Sequence, residues 1–268
     1  RKAQIKRDIA YINLQKEQGR LTSGEADYWK EKIGNLQEYQ YGYHKGWSMI
    51  LDTLTWPVLI MMLISIGIAP IFAGEYQSKC DSLILCMKYG RSKLILAKII
   101  SGWLYATGVY WGITLIYSSI YMIFLGTQGA DLPIQLKYPA MSVGYNLTMG
   151  EAVGITLLLG YFFTLGIMGV TLFMSALLKN TYAVIIVAFL LIIIPTFLSL
   201  DTGGYVWSHV LSLLPPKIAD FSFQSYTAYS IGNIVLSWPV MAILVNAIVA
   251  VLCSVLGYII FRKHQVNK

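Results

Sequence analysis

From about residue 50 onward the chain consists of long apolar stretches broken by short polar ones. Runs of about twenty or more apolar residues cover roughly 52–73, 94–125, 151–178, 181–200 and 237–261. A helix rises about 1.5 Å per residue and a bilayer core is about 30 Å thick, so each run predicts a transmembrane helix. The second run is longer than the core requires and is expected to tilt or protrude. Before the first run, residues 1–46 mix nine Lys/Arg with six Asp/Glu, and Ile9, Ile12, Leu14, Tyr28, Trp29, Ile33 and Leu36 recur at roughly helical spacing. The segment "LTSGEADYWKEKI" reads as a break and a helix start, with Thr22 or Ser23 as cap and Glu25 in the first turn. A solvated helical hairpin or pair is expected there.

Between the first two runs lies a polar island, "FAGEYQSKCDSLILCMKYGRSKLILAK", residues 72–98. Tyr76, Cys80, Leu83, Ile84 and Met87 share one face of a helix over about 75–88. Glu75 at its start and Lys88 at its end both suit the helix dipole. Tyr89-Gly90 should stop it, and Ser92 can cap the next helix. The expected product is a short amphipathic helix lying flat on the membrane surface. Cys80 and Cys86 are read as small apolar filling rather than a metal pair, because their spacing fits no common zinc motif.

Composition supports the membrane reading: 56% of residues are hydrophobic and only 12% charged, against roughly 25% charged in soluble domains. The net charge of +7 then reflects inside-facing loops rather than nucleic acid, which is not expected as a partner. Lys79, Lys88, Arg91, Lys93 and Lys98 fall in the island, Lys179 in the 178–181 turn, and Arg262, Lys263 and Lys268 in the tail. The loops 126–150 and 201–236 carry only Lys137 and Lys217. The island and the C-terminus are therefore expected in the cytoplasm of a multi-pass cell-membrane protein, with residues 1–46 extracytoplasmic. The chain starts at Arg1 with no Met, and five spans in this orientation lead us to expect one further span upstream, six in all.

Few residues offer chemistry. No charged residue lies mid-span, so ion-coupled transport has no candidate site. There is no G-x-x-x-x-G-K-[ST] phosphate loop, and His44, His209 and His264 lie far apart. Neither an enzyme nor a metal centre is expected, and no cofactor held by this chain. The second span is more informative. Trp103, Thr107, Tyr110, Thr114, Tyr117 and Tyr121 step by four, three, four, three and four, which places them on one seam, with Ile113, Ile116, Ile120 and Ile123 opposite. That seam is either helix packing or one wall of a translocation path. The third span has a seam of small residues, Gly160, Thr164, Thr171 and Ser175, with Gly166 and Gly169 beside it; "GVYWG" (108–112) and "GEAVG" (150–154) fit G-x-x-x-G. Pro195 should bend the fourth span. The run in "YVWSHVLSLLPP" is too short to cross and suits a re-entrant segment, about 204–236, or a surface helix.

The order "IFAGEYQSKCDSLILCMKYGRSKLILAKII" resembles the segment after the second span in ABC transporter permeases of the type-2 exporter family. Glu75, Arg91 and Lys98 match the family's Glu, turn Arg and opening Lys, while Tyr89-Gly90 stands where the family often has proline. The resemblance covers spans two to six. It implies an all-α polytopic bundle, with residues 1–46 an extracytoplasmic insert and 47–268 the permease domain. It implies a second permease copy or homologous permease in the membrane lipid. It also implies ABC ATPase subunits beneath, with ATP and Mg bound in those partners. The short helix would then couple the two, with Glu75, Lys79, Asp81, Lys88, Tyr89, Arg91 and Lys98 as candidate coupling residues, of which Lys79, Asp81, Lys88 and Arg91 would contact the ATPase. The cargo would be amphipathic or hydrophobic: peptide, lipid or drug. The rival reading is a non-transporting membrane sensor or assembly protein whose outer helices bind a partner.

Overall fold

The computed structural model describes residues 2–34, 41–53, 56–90, 92–138, 143–199, 204–223, 225–232 and 234–263. Eleven α-helices follow one another among them: α1 Lys2–Glu17, α2 Ser23–Gly34, α3 Lys45–Asp52, α4 Trp56–Ile68, α5 Pro70–Gln77, α6 Asp81–Cys86, α7 Lys93–Leu125, α8 Met149–Leu177, α9 Thr181–Phe197, α10 Gly204–Ser212 and α11 Trp238–Lys263. Two short strands, β1 Ala228–Ile231 and β2 Ile234–Ser237, precede α11. The fold is all-α in class, and the strands are an addition the sequence reading did not contain.

Four stretches are long and apolar enough to cross a membrane: Pro57–Gln77, Lys93–Leu125, Met149–Leu177 and Trp238–Lys263. The fifth expected span, 181–200, corresponds to α9, which has 17 residues and so is about 26 Å long. Asn180 caps it by accepting from the Tyr182 N–H at 2.9 Å. Pro195 sits in its last turn, where it ends the helix rather than bending its middle.

The chain divides into two compact units, the first comprising Arg1–Leu54, Leu115–Leu159 and Ser199–Ala242, the second Thr55–Thr114, Gly160–Leu198 and Ile243–Lys268. In the first unit, α2 opens with the expected capping box. The Thr22 N–H donates to Glu25 Oε2 at 2.8 Å, and the Glu25 N–H reaches back to Thr22 Oγ1 at 3.4 Å. Thr148 and Glu151 repeat the arrangement at the head of α8. Far from being a solvated pair, α1 and α2 bury Ile12, Trp29 and Ile33 completely. The Trp29 ring meets Tyr28, Tyr145 and Tyr226 edge-on, with centroids 5.1–5.4 Å apart. β1 and β2 pair antiparallel, Ile231 opposite Ile234, and α2 packs against both strands. Gly232, at φ +61, supplies the left-handed residue that a two-residue hairpin turn needs. The 126–150 loop is tied down by Lys137, whose Nζ reaches the Ser48 carbonyl at 2.9 Å and the Asp52 carboxylate on α3.

The second unit is a helix bundle with Ile64, Ile68, Phe72, Ile99, Tyr110, Met168, Leu172 and Phe261 in its core. α8 approaches the α11 backbone through Gly169: a Cβ there would lie 2.7 Å from the Ala250 Cα, so only glycine fits. Gly108, Gly112 and Gly154 have nothing within 4 Å, so neither G-x-x-x-G match is built as a paired close approach.

Candidate functional site

The polar island begins inside a membrane-length helix, not after it. Pro70 has no N–H and disturbs the ladder between α4 and α5. Ser175 of α8 compensates: its hydroxyl donates to the Ala69 carbonyl at 2.7 Å and accepts from the N–H groups of Phe72 and Ala73 at 3.0 and 3.1 Å. This is how an apolar bundle tolerates a proline break, since no water is at hand to satisfy the backbone.

Below that break α5 is held on three sides. Glu75 forms an ion pair with Lys98 of α7. Lys98 also donates to the Ile71 carbonyl at 2.9 Å and lies over the rings of Phe72 and Phe261. Tyr76 donates to the Ala176 carbonyl at 3.2 Å and packs on Phe261. Gln77 meets Asn180 at the head of α9. Glu75 and Lys98 thus face each other across the two helices. Their job in the fold is to fix the end of α5 against the start of α7.

The helix expected over 75–88 is also corrected. Lys79 adopts φ +57, a left-handed conformation that breaks the helix after Gln77. The second piece, α6, covers only Asp81–Cys86. The sequence face Tyr76–Cys80–Leu83–Ile84–Met87 is therefore split. Tyr76 turns into the bundle, while Leu83, Met87 and Tyr89 are 71%, 54% and 51% exposed. Cys80 and Cys86 are exposed free thiols, not buried filling. Gly90 closes the segment: a Cβ there would sit 1.6 Å from the Ile84 carbonyl oxygen, so the turn demands glycine as expected. The ammonium groups of Lys88 and Lys93 flank the Tyr89 ring at 5.5 and 4.7 Å. Arg91 and the Asp81 side chain lie outside the described residues. What remains is a small exposed apolar and cationic knob on a firmly anchored stem.

The α7 seam is arranged as its spacing predicts. In the second unit, Trp103 Nε1 donates to Ser254 Oγ of α11 at 3.1 Å, and Thr107 Oγ1 bonds the Tyr161 hydroxyl of α8 at 3.0 Å. Tyr110 is buried, its hydroxyl filling the space that Gly160 leaves open. Thr114 is buried with no partner for its hydroxyl among the described residues. Tyr117 and Tyr121, which belong to the first unit, are half-buried and lie edge to face at 6.3 Å. Ile116, Ile120 and Ile123 on the opposite side are exposed, but Ile113, expected among them, is half-buried against the second unit's core. Trp103, Thr107 and Tyr110 therefore act as interhelical packing, with Tyr117 and Tyr121 left as the accessible part of the seam.

The first unit holds a polar centre that the sequence did not announce. Glu25 is fully buried and accepts from the Tyr205 hydroxyl at 2.8 Å. The His209 ring packs on Tyr205 with centroids 4.0 Å apart, and its nitrogens face the carbonyls of Tyr205 and Ala228 at 2.8 and 3.1 Å. Tyr229 donates to the His209 carbonyl and meets Ser212, both at 2.7 Å. Desolvation, with the Glu25 carboxylate beside it, pushes the Tyr205 phenol up to about 12. No linear signal links Glu25 to residues 205–229, because they meet only in the folded unit.

No curated protein and no solved structure matches the chain. Residues 26–266 match the model of a family described as protein of unknown function, DUF2705. That match takes in all the membrane-length helices, the anchored α5–α6 segment and most of the first unit, and the chain belongs to that family.

Proposed function

We propose that the chain is the membrane-spanning permease subunit of an ATP-driven exporter of the ABC type-2 kind, working as a pair of permeases above separate ATPase subunits. The observation that carries this reading is the α5–α6 segment. A lever transmitting force must be rigid at its membrane end and exposed at its docking end. Glu75–Lys98, Tyr76 and Ser175 supply the first property. Leu83, Met87 and Tyr89, with Lys79 and Lys88 nearby, supply the second. Asp81 and Arg91 join this docking end by their place in the sequence. The knob faces the cytoplasm in this reading, as the Lys/Arg bias of the loops favours. Cargo is amphipathic or hydrophobic, and Tyr117 and Tyr121 are the seam residues placed to meet it.

Copurification tests the proposal. Gently solubilised full-length protein should bring down an ATP-binding subunit, and the double variant Leu83→Asp, Met87→Asp should lose it while leaving the permease folded. Recovery of the protein without any ATPase, at expression levels where the membrane is intact, overturns the reading.

A further inference from the structure

We infer that α10 is an interfacial helix, and that the first unit rests on the lipid surface through Val206, Trp207, Val210 and Leu214. The helix is amphipathic in the reverse sense of one that faces water. His209 and Ser212 are buried together with Leu211. Both polar side chains are engaged inside the unit: His209 Nε2 faces the Ala228 carbonyl at 3.1 Å, and Ser212 Oγ meets the Tyr229 hydroxyl at 2.7 Å. Val206, Trp207 and Val210 point the other way and are 71%, 41% and 61% exposed, and Leu214, just beyond the helix, is 37% exposed. A surface helix in water turns its apolar stripe to the core and its polar face outward. An apolar outer face beside a polar inner one marks a surface that something apolar covers.

The ends of α10 say what covers it. Trp207 Nε1 donates to the Ser199 carbonyl at 3.2 Å, and Ser199 stands two residues after the apolar helix α9. Trp238 Nε1 donates to the Ser212 carbonyl at 3.2 Å, and Trp238 is the first residue of α11, which is long and apolar enough to cross a membrane. The helix is thus tied at one end to where the chain leaves an apolar helix and at the other to where it enters the next. That level is the bilayer boundary. With nine residues α10 is about 14 Å long, too short to cross. No Lys, Arg, Asp or Glu occurs from Thr202 to Pro216, so the face offers no charge for a protein partner to match. A Trp ring with its N–H satisfied suits the headgroup level. Of the two readings open for this segment, re-entrant or surface helix, these ties favour the second.

The test is spin-label accessibility in the full-length protein reconstituted into phosphatidylcholine vesicles. Cys80→Ala, Cys86→Ala and Cys253→Ala remove the native thiols. Val206→Cys, Val210→Cys or, as a reference among charged neighbours, Gln18→Cys then carries the nitroxide. All three native side chains are exposed, so the fold tolerates the label. Labels at 206 and 210 should favour oxygen over a nickel chelate at least about threefold more than the label at 18, as a face sunk about 5–10 Å into the headgroup–acyl boundary requires. An oxygen preference no greater than at 18 overturns the inference. Poor access to both reagents overturns it as well, and would assign the face to a protein partner such as a second copy. The inference rests on the membrane reading of α11 and not on ATPase docking, so either result leaves the copurification test untouched.

Discussion

Ser254 and Glu25 are both almost completely buried polar groups, one in each unit, and each joins a local partner to one distant in the sequence. Ser254 returns its proton to its own helix, donating to the Ala250 carbonyl at 2.7 Å, and offers the oxygen across to Trp103. Thr171 likewise donates to Ile167, and Ser65 to Met61. Glu25 divides its carboxylate: Oε2 accepts from the Thr22 N–H three residues back, and Oε1 from the Tyr205 hydroxyl 180 residues away. Helices of the second unit thus carry much of their own polar satisfaction, and small residues then set how closely they approach. In the first unit the hydroxyls of Tyr205 and Tyr229 find partners only once separate segments have assembled. Its core is correspondingly aromatic, because large rings supply burial where helices are short.

The contrast predicts where each unit breaks. Trp29→Ala should have the largest effect, a loss of about 3–5 kcal/mol for an aromatic side chain with three ring neighbours. Hydrogen exchange should show protection lost in α1, α2 and the β1–β2 hairpin. Retained protection there would mean that the aromatic cluster does not organise the unit. Ser175→Ala should cost less, about 1–2 kcal/mol, because the hydroxyl satisfies three backbone groups around Pro70 but the bundle can partly relax. Detergent unfolding should register it, with faster exchange at Phe72 and Ala73. A wild-type midpoint would show that the break needs no support.

The smallest effect is on pH dependence. The Tyr205 phenol, raised to about 12 from an ordinary value near 10, favours the protonated form in the fold. Its contribution is fully present below pH 10 and is lost as pH rises from 10 through 12, since the unfolded chain releases that proton first. Thermal midpoints should therefore fall more steeply across that window in the wild type than in Tyr205→Phe. Parallel curves would remove Tyr205 from the polar centre.

Much that depends on helical period and capping was legible in the sequence. The Trp103–Tyr121 seam follows from helical periodicity alone, as do Ile116, Ile120 and Ile123 opposite it. Gly90 was legible as a stop, and Thr22–Glu25 as a capping box. The split of the amphipathic helix was not. Residues 75–88 have a continuous helical pattern, and nothing local announces that Glu75 pairs with Lys98, Tyr76 with Ala176, and that Lys79 turns left-handed to allow it. The hairpin had a signal that went unused: Gly232-Asn233 between "YSI" and "IVL" is a two-residue turn flanked by strand-forming residues. An apolar run beginning at Ile234 continues directly into α11 and masks that signal.

By itself, then, the sequence determined the helical class, four membrane-length segments and the seam of α7, because period and hydrophobicity are local properties of the chain. Tertiary structure alone decided that Trp29 shares a core with Tyr145 and Tyr226, and that Ser175 supports the Pro70 break. Those pairings join residues up to about two hundred positions apart. Their energy comes from burial and hydrogen bonds that exist only after the chain has closed on itself, so no local pattern encodes them.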